Sequence, residues 1–202
     1  MVEGPNDRGG DVRRLVVTEN ITLDGVIDAA EGWFLPSGAS DADESDQLAV
    51  VQEQAAASDA FLTGRVTFEA LRGFWPQQVD DTTGISEHLD RVAKYVASTT
   101  MTDPQWANST VLTGPLVDEI SALKHQPGKD IVVTGSITLV HELIPSGLID
   151  EYRLFVFPVA LGRGRRLFEG ATGLPRLRLL DTQPVRSGVV LLRYAADSSA
   201  TA

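Results

Sequence analysis

Three short apolar runs in this chain each end in Thr-Gly and then change from strand-like to helix-like spacing. They are "FLTGRVTFE" (61–69), "VLTGPLVDE" (111–119) and "VVTGSITLV" (132–140). A strand that closes in a glycine turn and enters a helix is half of a βαβ unit, and such units build parallel sheets. This repetition excludes an all-helical bundle and an all-β sandwich. It also gives the sheet a functional rim, because open α/β sheets bind ligands beyond the carboxyl ends of their strands. A glycine there has two readings. It either relieves a tight turn and nothing more, or it lets a ligand phosphate approach the backbone where a helix N-terminus offers free N–H groups. Two of the three turns carry further polar residues. Arg65 and Thr67 follow Gly64, and Ser136 and Thr138 follow Gly135.

The rest of the chain fits around these units. "RRLVVTENITLDGVI" predicts a first strand that ends in the Asp24-Gly25 turn signal. Residues 29–43 mix Gly, Pro, Ser and Asp with one aromatic pair and predict a long loop, a common place for function. Residues 44–58 predict a helix with Leu48, Val51 and Ala55 as its apolar stripe. A short helix follows Thr63-Gly64 and stops near Gly73, before Pro76. Ser86 is placed to cap the next helix, "EHLDRVA". "KYVAST", "TVLTG" and "DIVVTG" predict further strands, with a helix opened by Pro115 between the last two. "SITLVHELIPSG" predicts a helix that Ser136 caps. "DEYRLFVFPVALG" predicts a long buried strand with Pro158 inside it, and "LRLLDTQPVRSGVVLLRYA" an antiparallel pair. The expected fold is α/β: a three-layer αβα sandwich on a mixed, mostly parallel sheet of about eight strands with a C-terminal antiparallel pair. Residues 13–196 form one domain, between flexible ends at 1–12 and 197–202.

Composition narrows the chemistry. The net charge of -11 disfavours nucleic acid and anionic membrane surfaces as partners. No apolar run approaches the length of about 18 residues that a membrane helix needs. The chain has no cysteine and only three histidines, without metal-ligand spacing, so no metal site is expected. The absence of cysteine fits a reducing compartment, and a cytoplasmic location is expected. No GxGxxG and no P-loop motif is present.

At this point the segments "TLDGVI", "DAFLTGRVTFEALRGFWP", "KYVAST" and "DIVVTGSITLVHELIPSGLIDEYRLFVFPVALGRGRRLFEG" carry a resemblance. Together they resemble the dihydrofolate reductase-like family, in the branch related to the reductase domain of bacterial riboflavin biosynthesis. The likeness spans about residues 13–195. It implies a dihydrofolate reductase-like fold and an NADPH-dependent reductase. Such an enzyme passes hydride to a C=N or C=O group of a pterin- or pyrimidine-like heterocycle, and members of this branch are often homodimers. The zinc-dependent deaminase half that accompanies the riboflavin enzyme needs cysteine and is therefore absent.

The resemblance also assigns roles. Gly64 and Arg65 approach the cofactor phosphates, with Thr67 and Phe68 at the helix start beside them. Gly135, Ser136, Ile137 and Thr138 form the turn that receives the pyrophosphate, with Ser136 either a phosphate contact or a plain helix cap. Ser98 and Thr99 sit where the family holds the adenosine ribose and its 2′-phosphate. "ASTTMTD" offers hydroxyls there and no basic residue, which leaves the choice between NADPH and NADH open. A folate reductase has a substrate carboxylate near the position of Leu48. Here the nearest acids are Glu44, Asp46 and Glu53, which either serve the substrate or lie on a solvated face. Asp24 and Asp46 are the catalytic candidates. Asp24 either faces the substrate or shapes its own turn, and Trp33 and Phe34 either stack on a planar ring or anchor the loop. A protein that binds a nucleotide on this fold without turnover is the alternative.

Overall fold

The computed structural model describes residues 12–30, 32–34, 44–171 and 176–197. The expected flexible ends at 1–11 and 198–202, and most of the loop 29–43, lie outside these residues. Asp197, expected in the loose tail, is the last residue of a strand.

Eight strands form one sheet in the order β4-β3-β2-β5-β1-β6-β8-β7. They are β1 (Leu15–Thr22), β2 (Ser58–Gly64), β3 (Ala93–Ala97), β4 (Ser109–Leu112), β5 (Asp130–Val133), β6 (Glu151–Phe157), β7 (Arg176–Pro184) and β8 (Val190–Asp197). Every pairing from β1 to β6 is parallel, and β6–β8 and β8–β7 are antiparallel. This is the mixed, mostly parallel sheet expected, with its antiparallel pair at the C-terminal end. Among the described residues, five α-helices connect the parallel strands: α1 (Ser45–Ala56), α2 (Arg65–Phe74), α3 (Ile85–Arg91), α4 (Leu116–Lys124) and α5 (Ile137–Leu143).

Strand alternation sorts the core into two layers. On one face Leu15 and Val17 of β1, Leu62 of β2, and Ile131 and Val133 of β5 pack against Ile120 and Leu123 of α4. Leu139, Val140 and Leu143 of α5 join the same layer. On the other face Phe61 and Val132 meet Leu71, Leu89 and Val92 from the segment that carries α2 and α3. Val50 of α1 packs on Phe155 and Leu191 of that same side. The helix after β2 and the helix after β5 therefore lie on opposite faces of two adjacent strands. That is a topological switch point, the place where open α/β sheets generally bind their ligands.

At the other end of the strands the interior is ionic. Arg153, at 2% exposure, pairs with Glu151 (2.8 Å) and Asp130 (3.0 Å). Arg14 reaches both acids (2.9 Å to Asp130 and 3.1 Å to Glu151), and Arg193 bonds Glu151 at 2.9 Å. Three guanidinium groups thus surround two carboxylates, which offsets the cost of burying them.

Local departures from the sequence reading have physical causes. Pro158 lies just outside β6, because a proline has no N–H to give the ladder. The helix after Gly64 begins at Arg65 and runs through Gly73 to Phe74. Its last turn tightens into the short 3₁₀ segment Trp75–Gln77. In α1 the buried residue is Val50, with Val51 beside it, rather than the Leu48-Val51-Ala55 stripe. Ser86 does not cap α3. Gly84 holds that position at φ 79, and the Asp81 carboxylate accepts the Ser86 N–H at 2.9 Å.

Candidate active site

The ends of β2 and β5 are tied directly to each other. Gly64 N–H donates to Ser136 Oγ at 2.9 Å, and Ser136 N–H donates to Thr67 Oγ1 at 2.9 Å. Both bonds cross from one Thr-Gly turn to the other over the switch point. The β5 turn is also unusual in its backbone. Gly135 has φ 61 and Ser136 has φ 47, so two successive residues are left-handed and only the first is a glycine. A side chain at Gly135 would also crowd Thr67 Cγ2, since its Cβ would stand 3.2 Å away. Ser136 occupies the N-cap position of α5 but makes no side-chain cap bond. Its hydroxyl serves Gly64 instead, which corrects the reading of Ser136 as a plain cap.

These bonds bring the two halves of the expected cofactor site together. Arg65 opens α2, with its side chain 45% exposed and, among the described residues, paired only with Glu69, at 2.8 Å, one turn along the surface. Such an exposed pair is weak, so the guanidinium is available to an anionic ligand. Ser98 and Thr99 follow the end of β3, where Ala97 pairs with Gly64. The Ser98 hydroxyl accepts the Met101 N–H at 3.0 Å and shapes that turn, while Thr99 is exposed. Phe68 and Ile137, also in the expected set, turn their side chains inward. Phe68 is 1% exposed, with its ring 5.6 Å from that of Trp106, and Ile137 belongs to the main core cluster. Both are apolar residues on the inner faces of their helices, so only their backbone can meet a ligand.

The third Thr-Gly turn is not part of this site. β4 is an edge strand two positions away from β2, and the Gly114 N–H is already satisfied by Glu119 Oε1 at 3.0 Å.

Asp24 lies at the end of β1. Its carboxylate accepts Thr22 Oγ1 (2.6 Å), Gly162 N–H (2.8 Å) and Leu161 N–H (3.2 Å). Arg166 Nε donates to the Asp24 carbonyl at 2.9 Å, and Val26 bridges to Arg166. Asp24 thus ties its own turn to the loop 161–166. Gly164 is required there at φ 103, because a Cβ would come within 2.7 Å of Val26 Cγ1. The Thr22 hydroxyl and the Gly162 N–H lower the Asp24 pKa to about 2. An acid held in its ionised form in this way is a poor proton donor. Asp46 accepts the Arg186 N–H at 2.9 Å and its own neighbour's N–H, Gln47, at 2.9 Å, which fixes the start of α1 to the β7–β8 loop. Trp33 donates its indole N–H to the Asp28 carbonyl at 2.8 Å. Its ring meets Phe157 (5.3 Å) and Phe34 (5.4 Å) edge-on. The pair therefore anchors the loop at the end of β6.

One functional candidate escaped the sequence reading. Glu19 is 3% exposed, and its Oε2 accepts the Gly135 N–H at 3.1 Å. Burial pushes its pKa well above the usual carboxylate range, against a smaller lowering by the Gly135 N–H. The alternation itself carried the signal: Leu15, Val17, Glu19 and Ile21 share one face of β1, and the other three are core residues.

Two glycine turns at the switch point of a mixed eight-stranded sheet place this chain among α/β proteins of the dihydrofolate reductase-like fold. The sequence profile of the RibD C-terminal domain matches residues 13–191, and the chain belongs to that family. Among curated relatives, YyaP of Bacillus subtilis (strain 168) is 30% identical over 187 residues, 90% of this chain and 94% of that protein. YwjB of the same organism is 27% identical over 183 residues, 89% and 96% of the two chains. Both are named as uncharacterised proteins. A putative riboflavin biosynthesis protein from Shewanella sp. PV-4 superposes with a TM-score of 0.67 at 20% identity, over 91% of this chain and 99% of its own. Dihydrofolate reductase from Enterococcus faecalis, solved with NADP(H) and RAB-propyl, gives 0.61 at 18% identity, over 91% and 96%.

Proposed function

We propose that the protein is an NADPH-dependent reductase that delivers hydride to a C=N or C=O group of a pterin- or pyrimidine-like substrate. The observation that carries this reading is the pair of turns, Gly64 to Thr67 and Gly135 to Thr138, hydrogen-bonded to each other at the switch point. The donor set fits a dinucleotide. The first turn of α2 supplies N–H groups, Arg65 supplies a planar cation with a weakly held partner, and Thr138, Ser98 and Thr99 supply hydroxyls. When bound, the nicotinamide supplies the hydride. The chain's own residues would orient it: the two turns would hold the phosphates, and Arg65, weakly paired with Glu69, would supply a cation to a phosphate oxygen. Orientation is the main catalytic contribution the protein makes.

A second reading, binding without turnover, is favoured by the proton side of the site. Asp24 is held ionised and Asp46 is committed to backbone N–H groups.

The two readings part in one experiment. The protein's tryptophans are excited and energy transfer to added NADPH is followed. Then the loss of nicotinamide absorbance is followed with folate, pterin, pyrimidine and quinone panels. Binding with oxidation supports the reductase, binding without oxidation supports the second reading, and no binding at submillimolar NADPH overturns both. Arg65→Ala is expected to weaken NADPH by about tenfold more than NADH, the size of one charge-assisted contact. An equal loss for both cofactors would place Arg65 on the pyrophosphate.

A further inference from the structure

The Glu19 carboxyl sits in the core against every rule of burial unless its charge is removed. It lies on the inner face of β1 among Leu15, Val17 and Ile21. Its only hydrogen-bond partner among the described residues is the Gly135 N–H, and Oε1 has none. An unpaired buried carboxylate is expensive enough that the group takes up a proton instead.

Its position gives that proton a use. β1 and β5 pair as neighbours only from Leu15↔Ile131 to Val17↔Val133. Beyond that point the ladder stops, and β5 enters the turn at Gly135. Glu19 spans the gap and bonds the first N–H of the left-handed pair, Gly135 and Ser136. The other two tethers of this turn come from α2, through Thr67 Oγ1, and from β2, through Gly64 N–H. Three different elements therefore hold a backbone shape that Ser136 does not adopt readily alone.

We propose that Glu19 is a positioning residue for the cofactor, a neutral carboxylic acid that holds the Gly135–Ser136 turn open to the dinucleotide phosphates without placing a negative charge beneath them. The inference rests on the reductase reading of this site and adds to it the residue that sets the turn. An ionised acid would keep the same hydrogen bond but would repel the pyrophosphate. An apolar residue would remove the repulsion but lose the bond. Only a neutral acceptor does both.

The test compares Glu19→Gln and Glu19→Leu with the wild type. Glutamine copies the neutral acid in shape and charge. NADPH affinity, read by energy transfer from tryptophan, is expected to stay within about threefold in Glu19→Gln and to fall by about tenfold in Glu19→Leu, the size of one hydrogen bond. Infrared difference spectra between wild type and Glu19→Gln at neutral pH are expected to show the C=O stretch of a protonated acid. Wild-type binding with no such band overturns the proposal. So does Glu19→Gln binding as weakly as Glu19→Leu, or Glu19→Leu binding as well as wild type. If Glu19→Leu does not fold, Glu19→Gln and the infrared band decide alone. A wild type that shows the band but binds no NADPH sinks the cofactor reading instead, and the positioning role falls with it.

Discussion

Glu19→Gln also makes a thermodynamic prediction that needs no ligand. In the folded chain Glu19 is buried and its pKa is raised well above 4.5, whereas in the unfolded chain it titrates near the ordinary value. Above about pH 4.5 the folded state therefore binds one more proton than the unfolded state. Stability must then fall as pH rises, by about 1.4 kcal/mol per pH unit, until the folded-state pKa is reached. The contribution is fully present below the unfolded value and is lost on the alkaline side. Glutamine cannot titrate, so the difference between variant and wild type isolates this one group. For a chain of this size each kcal/mol moves the melting temperature by about 2–4 °C. The variant should gain about 3–6 °C on the wild type for each pH unit above 4.5. Urea melts and calorimetry on both proteins from pH 4 to 8 would read this directly. Parallel curves across that range would refute the reasoning, because they require Glu19 to hold the same protons folded and unfolded.

Three further outcomes follow from the packing. Tyr152 is 0% exposed, its hydroxyl has no partner among the described residues, and burial raises its pKa. Tyr152→Phe should leave stability unchanged or raise it by about 1 kcal/mol in urea unfolding. Arg153→Met leaves Glu151 and Asp130 short of their buried partner and should cost about 3–5 kcal/mol by the same measurement. Asp24, with its pKa lowered to about 2, contributes stability that is present above the ordinary value of 3.8 and lost as pH falls through the folded value. Asp24→Asn should therefore melt below wild type at neutral pH, and the gap should close as the pH approaches 2.

Much of this fold was legible because its signals are local. The Thr-Gly strand ends at 63–64, 113–114 and 134–135 marked three strand-to-helix junctions, and all three are present. Their strand neighbours were not legible. Sequence spacing treats Gly114 like Gly135, but the strand order puts one at an edge and the other at the centre. Side-chain direction was the second hidden quantity. Phe68 and Ile137 stand beside the glycines of the two turns in sequence, yet helical rotation turns both inward. Glu19 shows the opposite error. A polar residue inside a strand is by default a surface residue, yet Glu19 shares the inner face of β1 with Leu15, Val17 and Ile21.

The charge cluster of Arg14, Asp130, Glu151, Arg153 and Arg193 has a consequence for protein engineering. It joins β1, β5, β6 and β8 at the end of the sheet away from the glycine turns. A slip of β6 by one residue would send Arg153 and Glu151 to the opposite face, away from their partners. Strand alignment is thus fixed by groups remote from the glycine turns. Residues 158–171, on the rim of the sheet opposite this cluster, can then be varied while the frame keeps its alignment. Grafting β6 alone from another scaffold would require its charged partners, Arg14 just before β1, Asp130 on β5 and Arg193 on β8, to travel with it.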